Sequence, residues 1–355
     1  MSLLILGGAG FVGCNLALYL NSQGRQVSVM DNLYRRGSEL NLKELRRYAI
    51  PFYHGDLRNP DDFVSLPPAD MIVLAAAQSS ATAGFQNPAY DLQTNFGGVV
   101  NVLELARKTG AGVIFFSTNK VYDAGAVNAL LCEEADTRFS WPPDGQQEIA
   151  GFDPRRGISE DFRTDGARHG IYGLSKVCAD LACQEWFHSY GVRTVINRCS
   201  CLVGGRQYGS EAQGWLAWWM IAAALDLPLT YHGWGGKQLR DVLFIEDLCA
   251  LIEKQLLHFD RVAGQVFNVG GGMENSLSLL EATAWLESRL KKQLVTRQSP
   301  RARLSDHRIF ICDTSRSQQS LDWKPCVGLD EGMDRLLEWV VSQKQELAVL
   351  QEARA

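Results

Sequence analysis

Two hydrophobic rhythms alternate along the first half of this 355-residue chain. Short apolar runs at 3–6, 26–30, 71–75 and 113–117 are separated by stretches with helical spacing at 12–23 and 99–108. A helix over 172–190 and a strand over 192–197 continue the pattern. Strands alternating with helices predict an α/β chain with a Rossmann-type, doubly wound parallel sheet of at least five strands. Between 123 and 170 the rhythm stops, and turn formers take over (SWPPDGQQ, FDPRRG), which predicts a long surface excursion over the sheet edge. Beyond 204 the chain becomes mixed, with helices expected near 214–224, 245–257, 277–291 and 329–342. The expected division is a nucleotide-binding domain over 1–203 and a smaller mixed α/β substrate domain over 204–345. Some strands of the second part have the option of returning to the main sheet, and 346–355 form a tail.

Composition narrows the function. A net charge of -5 leaves no basic face to replace phosphate counterions, so nucleic acid is excluded as a partner. Nine cysteines, an odd number without a CxxC pair, argue against zinc and for reduced, buried thiols; no metal is expected. Met1 runs straight into an apolar strand with no leader pattern, and the greasiest stretch, 215–225, is about half of what a membrane helix needs. A cytoplasmic location without membrane attachment is expected.

The first strand ends in Gly7-Gly8-Ala9-Gly10-Phe11-Val12-Gly13, a GxxGxxG turn followed at once by a helix. Glycines there allow a tight turn and let main-chain amides at a helix N-terminus approach a pyrophosphate. Asp31 ends the second strand, where a carboxylate accepts from adenosine ribose hydroxyls and repels a 2'-phosphate; this favours NAD, while Arg35 and Arg36 keep NADP as the minor option. Asp56, after the third strand, reads equally as an adenine ligand or as a turn cap.

Tyr172-Gly-Leu-Ser-Lys176 places a phenol and an ammonium on one helical face. A nearby ammonium and a cationic nicotinamide ring would bring a phenol down from its usual value of about 10 into the range of a general base. Thr118, at the end of the strand carrying Ser117, sits at the binding edge of such a sheet and completes a hydroxyl relay.

The turn GGAGFVG, Asp31-Asn32, Thr118 and Tyr172/Lys176, in this order, resemble the extended short-chain dehydrogenase/reductase family over nearly the whole chain. Within that family STNKVY, GGRQ (204–207), QGW (213–215), GGKQLRDVLFIEDL (235–248) and NSLSLLE (275–281) resemble the branch that epimerises CDP-linked 3,6-dideoxyhexoses at C2. The resemblance implies tightly held NAD, a nucleotide-diphosphate sugar as substrate, and a transient ketone that turns before hydride returns. Thr118, Tyr172 and Lys176 become the catalytic trio. Gly7, Gly10, Phe11, Val12, Gly13, Asp31, Asn32, Arg35, Asp56 and Leu57 would hold the cofactor, together with Ala75, Ala76, Ala77, Gln78, Asn95 and Ser117. Asn95 reads equally as a helix cap.

On the substrate side, Arg240 and Arg303 match the family's diphosphate clamp, with Arg206 and Gln207 beside them. Asn119, Cys201, Gln213, Gln238 and Asp306 match positions near the nucleotide sugar. Helices around 98–108 and 176–189 carry stripes that family members use for dimer formation, implying a homodimer or homotetramer. The chain departs from the family at Leu6 (usually Thr), Leu74 (often His), Asp123 (usually Gly) and Cys201 (Ser or Asn). Asn119-Lys120 stand where a dehydratase keeps Asp-Glu, so elimination of water is disfavoured. A 4-epimerase or another nucleotide-sugar oxidoreductase of the family is the enzymatic alternative, and an NAD-holding sensor the non-enzymatic one.

Overall fold

A seven-stranded parallel sheet organises the chain, which a computed structural model describes over residues 1–144, 148–166 and 168–352. Its strands are β1 (Ser2–Leu6), β2 (Gln26–Asp31), β3 (Phe52–His54), β4 (Met71–Leu74), β5 (Gly112–Thr118), β6 (Thr194–Cys199) and β7 (Val266–Val269), in the spatial order β3-β2-β1-β4-β5-β6-β7. All neighbours run parallel. Helices cover both faces, which is why the strands read as unbroken apolar runs. On one face Leu3 and Ile5 pack with Leu16 and Leu20 of α1 (Phe11–Ser22) and Leu251 of α4 (Ile245–Leu257). On the other, Leu4 and Leu6 pack with Val102 of α2 (Gly98–Thr109) and Ala179 of α3 (Gly170–Tyr190).

Residues beyond 204 contribute to both layers of the fold. β7 joins the main sheet beside β6 and α4 covers it, while a four-stranded sheet of Cys201–Val203, Leu239–Phe244, Ser276–Ser278 and Ile309–Phe310 builds the second layer. The apolar stretch after Gly214 is the helix Trp215–Ala224, buried on all sides except near Trp215. The segment read as a tail is, over Lys344–Glu352, a helix that buries Leu347 and Leu350; residues 353–355 lie outside the described residues.

The excursion is more ordered than its composition suggests. It contains the helix Ala124–Ala129 and two tight hairpins, Glu133–Glu134 with Phe139–Ser140 and Phe152–Asp153 with Gly157–Ile158. Val127, Leu130, Phe139, Trp141, Ile158 and Phe162 form a core of their own with Ile309, Phe310, Ile311 and Cys312. Arg138 donates twice to Glu281, at 2.6 Å each, and so ties the excursion to the second layer. Residues 145–147 and 167 of this stretch lie outside the described residues.

All nine thiols are unpaired, but Cys132, Cys178 and Cys201 are partly accessible and Cys326 is exposed, so the expectation of uniformly buried cysteines is corrected. Among the described residues no group of three or more His, Cys, Asp or Glu could hold a metal, and no helix is long and apolar enough to cross a membrane.

Candidate functional site

The strand order reverses between β1 and β4, and a cleft of about 580 Å³ opens there, at the carboxyl edge of the sheet. One wall is the turn after β1. Gly7 adopts φ +83°, and a Cβ on it would lie 2.4 Å from the Ala76 nitrogen, so the turn and the segment after β4 touch through bare backbone. A Cβ on Gly13 would lie 2.2 Å from the Gly7 oxygen; this glycine supports the turn from behind, whereas Gly7, Gly10, Phe11 and Val12 line the cleft. Gly10 precedes α1 in extended conformation with no side-chain cap, which leaves the first amides of the helix for a ligand.

Asp31 accepts from Ala9 N at 3.0 Å and Leu33 N at 2.8 Å, so its carboxylate joins the glycine turn to the end of β2. Burial raises its pKa, and those amides oppose the shift. Asn32 donates to Asp56 at 2.8 Å, and Arg58 grips the same carboxylate from two nitrogens, which holds Asp56 well below the usual carboxylate range. Leu57, Ala75, Ala76, Ala77 and Gln78 complete this wall. Arg35 reaches across the cleft mouth, donating to Ser79 Oγ at 2.6 Å and to the Gln213 side chain. Arg36 pairs with Glu39 at 3.6 Å.

Asn95 is not a helix cap. It lies inside a π-turn, Gln93–Gly97, between Pro88–Leu92 and α2, and is buried. Its amide donates to Gln78 O at 2.9 Å and Ser175 Oγ at 3.0 Å, and its oxygen accepts from Gln78 N at 2.9 Å. Ser117 also stands behind the cleft, donating to Asp180 at 2.7 Å.

Thr118 ends β5 opposite Cys199 of β6, with Asn119 and Lys120 turning away in a single 3₁₀ turn. Its hydroxyl lies 3.3 Å from Asn119 Oδ1 and accepts from Lys120 N at 3.3 Å. Burial pushes the Tyr172 phenol up to about 12, with the adjacent Thr118 hydroxyl pulling it the other way. Lys176 is buried, donates to Phe116 O at 2.8 Å, and is pushed down to about 8 by that burial. The lowering of the phenol expected from the sequence is therefore not a property of the protein alone.

The substrate-side expectations divide between two places. Arg240 donates to Asp306 Oδ1 at 2.7 Å and to His307 O at 2.5 Å, and Lys120 Nζ reaches the same carboxylate oxygen at 3.0 Å and Ser305 O at 3.1 Å. Burial alone would raise the Asp306 pKa, yet Lys120 and Arg240 hold it well below the usual range. Cys201, whose sulfur accepts from Trp215 Nε1 at 3.3 Å, feels both of these cations. Gln238 is buried and donates to His232 O at 3.3 Å.

Arg206 and Gln207 do not join this cluster. They line the cofactor cleft with Gln213, Arg206 at φ +64° donating to Asn15 Oδ1 at 3.1 Å. Arg303 is also elsewhere, donating to Glu211 O at 2.6 Å on the rim. Four residues went unnoticed as site groups: Lys120, whose place two residues after Thr118 was a signal; His307, buried with no hydrogen-bond partner on either ring nitrogen among the described residues; and the buried Asp91 and Asp180, which single positions in helices do not reveal.

The residues fit NAD: a pyrophosphate turn without room for Cβ atoms, a ribose carboxylate at the end of β2, and an apolar alanine wall. The family model for the NAD dependent epimerase/dehydratase family matches residues 3–270. CDP-paratose 2-epimerase of Salmonella typhi is 35% identical over 353 residues, covering 96% of this chain and all of that one. A solved dTDP-glucose 4,6-dehydratase of Streptomyces venezuelae with NAD bound superposes with a TM-score of 0.80 at 24% identity, covering 99% of this chain and 100% of that one. UDP-glucose 4-epimerase of Thermus thermophilus in complex with NAD gives a TM-score of 0.73 at 23% identity, over 96% and 99% of the two chains. A family match over three quarters of the sequence, joined to a relative alike from end to end, places the chain in the NAD dependent epimerase/dehydratase family, as an NAD-dependent enzyme of nucleotide sugars.

Proposed function

We propose that this enzyme epimerises C2 of a CDP-linked 3,6-dideoxyhexose, interconverting CDP-paratose and CDP-tyvelose. The observation that carries the reading is Asn119-Lys120 directly after Thr118, with Lys120 held by Asp306 and Ser305 O. An amide and an ion-paired ammonium cannot supply the acid and base that elimination of water needs, whereas epimerisation asks only for oxidation and reduction of one carbon. The identity to the Salmonella typhi enzyme supports the choice of substrate.

NAD, when bound, supplies the hydride acceptor and donor. Tyr172 takes the C2 hydroxyl proton as hydride leaves that carbon, and returns a proton to the oxygen when hydride comes back to the opposite face of the ketone. Thr118 orients the same oxygen through its hydroxyl, and Lys176, one helical turn on from Tyr172, holds a buried positive charge fixed to Phe116 O. Arg240, Lys120 and Asp306 form a net cationic cluster suited to the diphosphate. Tight retention of NAD follows from a cleft whose mouth is spanned by Arg35 and Gln213. Leu174 and Leu181, exposed one heptad apart on α3, support a homodimer through that helix.

Purified enzyme without added cofactor, incubated with CDP-paratose or CDP-tyvelose and followed by proton NMR, tests the reading. Interconversion without accumulated NADH is expected. No turnover, even with NAD supplied, overturns the CDP assignment in favour of the 4-epimerase reading, to be followed with UDP-, GDP- and dTDP-sugars.

A further inference from the structure

Behind the alanine wall lies a carboxylate that the chemistry above does not use. Asp91 is completely buried. Its Oδ1 accepts from Asn95 Nδ2 at 2.8 Å and from Gln78 Nε2 at 3.0 Å. Its Oδ2 has no hydrogen-bond partner among the described residues. That oxygen faces Gly84, where a Cβ would come within 2.0 Å of it and 3.3 Å of Tyr172 N; only a glycine leaves room for the carboxylate next to the catalytic helix. Asp91 and Asn95, four residues apart, lie on the same inner side of their helical run, the latter within the π-turn Gln93–Gly97.

We infer that Asp91 is a positioning residue for hydride transfer, its carboxylate locking the Asn95–Gln78 pair in the cofactor cleft and, through Ser175, the first turn of the catalytic helix. The inference rests on the oxidation–reduction reading above. Two links lead from Asp91 to the reacting groups. One is mechanical: Asp91 holds Asn95, Asn95 holds both main-chain groups of Gln78 and the Ser175 hydroxyl, and Ser175 donates to Tyr172 O at 2.8 Å. The other is electrostatic. From α3, Tyr172 and Lys176 are the titratable groups that interact with Asp91; the segment after β4 and the short helix Ala83–Gln86 present Gln78 and Gly84, and Asp91's own helix presents Asn95. Burial pushes the Asp91 carboxyl up to about 6, with Gln78 and Lys176 opposing. The charge is thus present at pH 7 and lost as the medium is acidified through pH 6.

Asp91→Asn removes the charge and keeps an acceptor oxygen. Compared with the wild type, the variant is expected to retain its affinity for CDP within twofold, to lose at least tenfold in kcat with little change in KM, and to lack the acid limb near pH 6 that the wild-type kcat profile shows. Fluorescence of NADH added to the nucleotide-free proteins and titrated from pH 5 to 8 gives a readout that needs no sugar: an inflection near pH 6 in the wild type and none in the variant. If Asp91→Asn does not fold, Asp91→Ser is measured in the same way. Wild-type kcat in a folded variant, or a wild-type inflection that survives the substitution, overturns the inference. If the wild type turns over no CDP-sugar, the substrate reading fails, while the NADH titration still decides the role of Asp91.

Discussion

Lys176 donates its ammonium to the main-chain oxygen of Phe116 at 2.8 Å while lying 4.6 Å from the centre of the Phe115 ring. The cation is thereby fixed to the strand that also carries Thr118. Lys176→Met is expected to lower kcat by a factor of roughly 10²–10⁴, the range for losing a positioned acid–base group. Burial has lowered this amine from 10.5 to about 8, so the native state binds fewer protons than the unfolded chain between those values, and wild-type stability gains as pH rises through that window. Lys176→Met lacks that gain. Thermal melts of both proteins at about pH 7 and about pH 11, on either side of that window, check it through the difference between them.

Asp180 and Arg198 form a two-pronged ion pair, with Nε and Nη2 each 3.0 Å from a carboxylate oxygen, and both are buried. Arg198 also lies over the Tyr122 ring, whose hydroxyl donates to Asn268 at 2.7 Å, and Asn268 N donates to Glu160 in the excursion at 2.6 Å. Removing one partner strands the other charge. Asp180→Ala should cost about 3–5 kcal/mol in urea unfolding, and Asp180→Leu combined with Arg198→Met should recover much of it.

The glycine turn makes a sharper demand on cofactor content than on folding. Gly7→Ala places a methyl group where the Ala76 backbone already lies, in a left-handed conformation besides. The variant is expected to purify with less than one tenth of the wild-type NAD, measured by the absorbance of nucleotide released on denaturation. Full NAD content would contradict the assignment of this turn.

Arg240 is expected to act on binding rather than on the chemical step. Arg240→Gln should raise KM for the nucleotide sugar and weaken CDP binding by at least tenfold, about 1.4 kcal/mol or more, with kcat changed less than threefold. Titration calorimetry with CDP, beside initial rates, separates the two effects.

Much of this was legible in the sequence because both faces of the sheet are buried: Leu3 to Leu6 reads as a strand, and GGAGFVG, placed between that strand and a helix, reads as the turn that follows it. The excursion was not legible because Phe139, Trp141, Ile158 and Phe162 fill their core from separate turns and hairpins, with no period to detect. Asn95 read equally as a cofactor-side residue and as a cap because a π-turn carries no local signature, and its partners Gln78 and Ser175 are far away in sequence. Arg206 and Arg303 lie away from Arg240 for a similar reason. A basic residue in a glycine-rich or polar loop fixes chemistry but not direction, and here the backbone at Arg206 turns left-handed and sends the side chain to Asn15.

The central claim is that hydride leaves and returns to the same carbon while the cofactor stays bound. CDP-paratose deuterated at C2, converted in ordinary water by enzyme without added NAD, tests it most directly by NMR and mass spectrometry of the product. Retention of deuterium at C2 in the epimer, with no free NADH, is predicted; loss of the label to solvent would mean that C2 epimerises by proton abstraction and would contradict the account.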